Sequence, residues 1–205
     1  MRKVFLTSLL IILVSSCSVY QGPVDSKKDY NSNDETVENA VFATIGEEHV
    51  FRAEVKVFKK ELSGMLIVKR MNEEEHRIVL TSDFGNTLFD FSIYKEGYKA
   101  NYVMPDLNKK IVLNMLAHDF GYLVRSQYQP IEKAVNESQI VYKSKEKKGQ
   151  SFIIVNTKDK EVREVIYSKT YKPKVRYKFG EEVKGIIEIE HLNLPLNIKL
   201  IPIDF

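Results

Sequence analysis

From residue 49 onward, apolar and polar positions alternate along most of the chain. Phe51, Ala53, Val55 and Val57 fall on one side, and Arg52, Glu54 and Lys56 on the other. A period of two is the signature of a strand with one face turned to an apolar core. Leu62-Ser63-Gly64 reads as a turn. Residues 65–70, 76–81, 87–94 and 98–104 then read as further strands, separated by polar or glycine-containing breaks at 72–75, 82–86 and 95–97. In the 87–94 strand, Phe89, Phe91 and Ile93 share a face.

Pro105 stops this run, and the period changes. Val112, Leu116, Phe120 and Leu123 recur at helical spacing, with Ile111 and Met115 beside them, and Asp106 or Asn108 offers a cap. One amphipathic helix is predicted, ending near Arg125 and closed off by Gln129-Pro130. Strand patterns return at 139–144, 150–157, 161–168, 172–179, 183–190 and 196–203. The expected fold is mainly β (α+β), a single antiparallel sheet of about eleven strands, which must curl, close or split at that size. A half-open barrel with the helix as lid or plug satisfies this.

Composition narrows the class. The 205 residues carry 31 basic and 28 acidic side chains, so no dense basic footprint points to nucleic acid. A single cysteine excludes an internal disulfide or a cysteine-rich metal site. That cysteine sits in an informative place. Arg2 and Lys3 precede an apolar run over 4–14, followed by Ser15, Ser16 and Cys17. The run is too short to span a bilayer, which takes about 20 residues. The layout is that of a signal peptide, and Val14-Ser15-Ser16-Cys17 resembles a bacterial lipobox. The resemblance implies removal of residues 1–16 and lipidation of Cys17 by S-diacylglycerol and N-acyl groups, with no other cofactor. Ser18, where enteric lipoproteins retained in the inner membrane carry Asp, implies the outer membrane, periplasmic face. Residues 17–39 are polar and aperiodic and read as a tether, with a short helix starting at Asn33-Asp34-Glu35. The folded domain is expected over 40–205.

Catalytic signatures are missing. His49, His76, His118 and His191 are scattered, and there is no nucleophile elbow, phosphate loop or dinucleotide fingerprint. Glu73-Glu74-Glu75 and the basic stretch 143–149 read as solvated turns. A binding protein is expected, not an enzyme, and neither a metal nor a nucleic-acid partner.

The order of lipobox, tether, strands and mid-chain helix resembles the LolA/LolB superfamily of lipoprotein carriers. The likeness is closest in His76-Arg77-Ile78-Val79-Leu80-Thr81-Ser82-Asp83-Phe84-Gly85-Asn86-Thr87-Leu88-Phe89-Asp90-Phe91, and extends to the preceding Leu62-Ser63-Gly64-Met65-Leu66-Ile67-Val68-Lys69-Arg70. The closing Leu194-Pro195-Leu196-Asn197-Ile198-Lys199-Leu200 also fits. The chain departs from the family in having no Trp, and its helix has no close residue match. The resemblance implies a half-open barrel whose concave apolar face holds acyl chains. It implies an outer-membrane monomer of LolB-like type, taking acylated lipoprotein cargo from a LolA-like periplasmic carrier and delivering it into outer-membrane phospholipid. Phe84, between Asp83 and Gly85, matches the protruding apolar residue of the delivery loop. The alternating faces nominate Val55, Val57, Ile67, Ile78, Leu80, Phe89, Phe91, Ile93, Ile154, Ile187 and Ile189 as the acyl-chain lining. Two alternatives share the scaffold: a lipoprotein that binds a glycolipid or other lipid, and an outer-membrane scaffold subunit with a filled interior.

Overall fold

The computed structural model describes residues 22, 27–29, 35–170, 172–180 and 185–203. The leader, Cys17 and most of the tether lie outside them. Fifteen strands and one α-helix are formed among the described residues. The first group is β1 (Lys27–Asp29), β2 (Val37–Glu38), β3 (Glu48–Val57), β4 (Lys60–Arg70), β5 (Glu75–Ser82), β6 (Thr87–Tyr94) and β7 (Gly97–Val103). A short 3-10 turn, Pro105–Leu107, leads into α1 (Lys110–Leu123). The second group is β8 (Gln127–Tyr128), β9 (Pro130–Val135), β10 (Gln139–Glu146), β11 (Gly149–Asn156), β12 (Val162–Lys169), β13 (Lys172–Phe179), β14 (Ile187–His191) and β15 (Leu196–Pro202).

Thirteen strands make one antiparallel sheet in the order β1-β9-β10-β11-β12-β13-β14-β15-β3-β4-β5-β6-β7, while β2 and β8 pair separately. The sheet is two meanders, β3–β7 and β9–β15, sewn together where β15 pairs with β3. β1 and β7 are its edges, so it stays open. It is strongly curled nonetheless. α1 packs on β6 and β7 and also on β13, six positions away from β6 in strand order. Accumulated strand twist produces this curl, and the helix fills its concave side. An ion pair between Lys147 and Glu96 ties the β10–β11 turn to the β6–β7 turn.

The structure departs from the sequence reading at several points. The first hairpin turns at Phe58-Lys59, not at Leu62-Ser63-Gly64, because Val57 pairs with Lys60 and β4 runs straight through Gly64. Gly64 serves strand contact instead: a Cβ there would lie 1.9 Å from the Thr81 carbonyl oxygen. Neither Asp106 nor Asn108 caps the helix, whose N-cap is Lys109 without a side-chain bond. Pro130 opens a strand instead of closing a segment, as an edge-side position allows. No helix forms over residues 35–41; Val37–Glu38 is a strand paired with Gln127–Tyr128. Part of the expected tether also joins the fold: Lys27–Asp29 pairs with β9, and Gly22 lies against the Phe152 ring. Backbone pairing of this kind leaves no mark in apolar periodicity.

Candidate functional site: the concave face beneath the helix

The concave face is apolar because each strand places alternate residues on it. Phe51 and Ala53 of β3, Leu66 and Val68 of β4, and Ile78 of β5 are buried there. So are Phe89, Phe91 and Ile93 of β6, Tyr177 of β13, Ile187 and Ile189 of β14, and Leu200 of β15. Each such large side chain contributes roughly 1.5–3 kcal/mol by leaving water. Val55, Val57 and Leu80 are partly buried against the same cluster. Nine of the eleven nominated lining residues therefore share this face.

Ile67 and Ile154 do not. Ile67 alternates with Leu66 and Val68 and pairs with Val50 and Val79 on the convex side. Ile154 is buried with Val141, Phe152 and Ile166 in a separate cluster, away from the concave one. The corrections have one cause. Leu66-Ile67-Val68 and Phe152-Ile153-Ile154-Val155 are unbroken apolar runs, in which period two cannot choose a face. Such a run is also the mark of burial on both sides, and it was there to be read.

The helix is held against this face chiefly by its second half. Phe120 packs on Phe89 with ring centroids 5.4 Å apart, and Tyr122 stacks on Tyr177 at 5.6 Å. Leu123 is completely buried. A buried polar cluster sits among these rings. The His191 Nε2–H donates to Asp119 Oδ2 at 2.8 Å, and the Tyr177 hydroxyl reaches Asp119 Oδ1 at 3.5 Å. Burial, and then the nearby Asp119 carboxylate, push the Tyr177 phenol well above its ordinary value, so it stays a donor. Just past the helix, Arg125 donates to both Glu146 oxygens at 2.9 and 3.1 Å and lies 4.4 Å from the centre of the Tyr128 ring. Ser151 completes that group with a 2.5 Å bond to Glu146. The buried Tyr128 hydroxyl has no hydrogen-bond partner among the described groups.

The Asp119–His191–Tyr177 cluster joins positions far apart in the sequence. His191 and Asp119 are 72 positions apart. The one available signal was a charged residue, Asp119, beside Phe120 on the apolar stripe of the helix. His118 lies beside it and packs against Tyr167 at 4.6 Å. His76 is buried in the sheet, where its Nε2–H donates to the Phe42 carbonyl at 3.0 Å.

Phe84 stands on the turn between β5 and β6 and is 92% exposed. The turn is firmly built. Ser82 and Asn86 are joined by a 2.8 Å backbone bond, the Gly85 N–H donates to Ser82 O at 2.9 Å, and Gly85 takes φ +80°. Asp83 is bound by Arg52 and Ser63. Those contacts, the Ser63 bond first, hold its carboxyl below the usual range. The turn thus presents Phe84 outward and keeps it from folding back. Cys17 lies outside the described residues. No group of His, Cys, Asp and Glu among the described residues could hold a metal ion, and no helix there is long and apolar enough to cross a membrane.

No protein-family model matches the chain, and no curated protein matches it. Solved structures do. A LolA superfamily protein from Nitrosomonas europaea superposes with TM-score 0.54 and 11% identity, covering 80% of this chain and 86% of that one. A putative outer membrane lipoprotein-sorting protein domain from Vibrio parahaemolyticus gives TM-score 0.50 and 8% identity over 80% and 86%. At such identities the likeness concerns the backbone. The open, curled antiparallel sheet with one helix on its concave side is the LolA-like open-barrel fold.

Proposed function

We propose that this chain is an outer-membrane-anchored, LolB-like lipoprotein that accepts acylated lipoproteins from a periplasmic carrier and inserts them into the outer membrane. The observation that carries the reading is Phe84, held almost wholly in solvent on a rigid turn of a LolA-like sheet. A folding role would bury it; a delivery role needs it exposed. The concave face supplies the rest. Phe89, Phe91, Ile93, Ile187 and Ile189 form an apolar floor that α1 covers. Acyl chains entering there replace the helix, exchanging one apolar contact for another at about 0.8 kcal/mol per methylene. The bilayer is the sink into which the chains leave. Anchoring follows from lipidation of Cys17, and no step needs a catalytic group.

The test is transfer. A periplasmic carrier loaded with labelled, acylated lipoprotein is mixed with vesicles bearing this protein, and label is followed onto the protein and into the bilayer. Phe84→Glu should leave folding and uptake intact and block insertion. Normal insertion by well-folded Phe84→Glu protein would remove the delivery role. One observation favours a second reading, a non-transport scaffold: the concave side is already filled by α1, and Phe91, Leu123 and Ile189 are completely buried. Lipid extracted from purified protein separates the two, since a scaffold carries none.

A further inference from the structure

Eight consecutive strands of the sheet, β12-β13-β14-β15-β3-β4-β5-β6, are antiparallel neighbours. Alternate connections between them must therefore emerge at one end. These are the turns after β12, β14, β3 and β5. Two are tied directly to their neighbours: Phe58 N–H donates to Pro195 O, and Leu192 N–H to Lys174 O, both at 2.8 Å. This end collects exposed apolar side chains. Phe58 is 77% exposed and Phe84 92%, with Leu62, Leu192 and Leu194 exposed around them.

Phe58 is also in the wrong conformation for a phenylalanine. It occupies the first position of a two-residue hairpin turn with φ +54°. Glycine fits that position best, since a side chain there is strained. A strained aromatic that leaves most of its surface in solvent is not explained by folding, and such outliers point towards function. The charges match this. Lys59, Lys60, Lys169 and Lys172 are exposed on the same end. Its carboxylates are already engaged, Glu61 by Lys56 at 3.1 Å and Asp83 by Arg52 and Ser63. The turn at the other end of β4 carries Glu73 and Glu74 instead.

We propose that this end is a non-covalent docking surface for an anionic phospholipid bilayer. Phe58 and Phe84 enter the acyl region, and Lys59, Lys60, Lys169 and Lys172 meet the headgroups. Aromatic anchors flanked by lysines are the chemistry of an interfacial membrane contact. The surface rests on the fold's ends and not on cargo transfer, so it stands even if the chain carries no lipoprotein.

The absence of Trp gives a clean reporter. Full-length protein with Phe58→Trp, Phe84→Trp or, as an opposite-end control, Met71→Trp is reconstituted into vesicles of brominated phosphatidylcholine, with or without phosphatidylglycerol. No cargo is added. Trp emission at positions 58 and 84 should shift to the blue and be quenched about threefold more than at position 71, more so with phosphatidylglycerol. Equal quenching at all three sites would overturn the proposal. So would a blue shift at 58 that persists without lipid, which would mean two copies covering each other. A second variant removes the folding alternative. Phe58→Gly in the Phe84→Trp background should keep or raise the melting temperature while weakening the quenching at 84. A lowered melting temperature would make Phe58 a structural residue and end the argument from strain.

Discussion

From Asp119 to Leu123 the helix α1 is almost wholly buried, pinned by a carboxylate–imidazole bond and by Phe120 and Tyr122 packed on the sheet. From Lys110 to Ala117 it is at most partly buried, and Ile111 near its start is 80% exposed. The first half packs Leu113, Met115, Leu116 and Ala117 only partly buried against the core, and has one described side-chain hydrogen bond to the sheet, the Tyr98 hydroxyl donating to Asn114 Oδ1 at 3.2 Å. The same helix thus has an anchored half and a light half. The difference says how a filled half-barrel could open. The light half can lift without breaking the polar cluster, uncovering the floor near β7 and the Phe91–Ile93 part of β6, while Phe120 stays on Phe89 and Tyr122 on Tyr177. Local opening of this kind costs far less than unfolding.

The largest losses are expected at the anchored half. Asp119→Ala leaves His191 and the Tyr177 hydroxyl buried without their acceptor, and should cost about 3 kcal/mol of stability in urea titrations. Phe120→Ala removes a core aromatic and should cost a similar amount, about 3 kcal/mol. Ile111→Ala, in the light half, should stay within about 0.5 kcal/mol. Equal costs at 111 and 120 would erase the distinction. Arg125→Gln should fall between, at about 1–2 kcal/mol, because it gives up a two-pronged bond to Glu146. Hydrogen exchange sharpens the contrast without mutation: amides at 114–117 should exchange on the order of tenfold faster than those at 121–124.

The smallest effect is a pH control placed away from the helix. Burial, reinforced by Arg70 and opposed by the bond to the Phe42 carbonyl, moves His76 below its ordinary value of 6.5. The unfolded chain therefore takes up this proton first. Stability is complete above about pH 6.5 and falls as the pH drops through the folded value. Thermal melts should show that slope between pH 7 and 5, and His76→Gln should flatten it without changing exchange in α1.

Much of the sheet was legible because its strands alternate. Phe51, Ala53, Val55 and Val57 announced both strand and face, and so did Phe89, Phe91 and Ile93. Alternation is no guide at Ile67 and Ile154, nor where a strand pairs without an apolar period, as in Lys27–Asp29 and Pro130–Val135. The turn at Phe58-Lys59 was hidden for a related reason, since a phenylalanine stands where turn chemistry leads one to expect glycine. Phe84 was visible as an apolar residue between Asp83 and Gly85, and its exposure follows from the turn around it. The Asp119–His191 bond joins residues from the helix and a late strand; a charge on the apolar stripe marks Asp119, and nothing local marks its partner.

Under the proposed function, acyl chains occupy the concave face in place of the light half of α1. Lipoprotein acylated with a photoactivatable fatty acid, transferred from a loaded carrier and irradiated, tests it most directly. Peptide mapping should place the label on Phe89, Phe91, Ile93 or Ile187 and on the first half of α1. Label on the opposite cluster of Val141, Phe152, Ile154 and Ile166, or none on a folded protein that has met a loaded carrier, would contradict it.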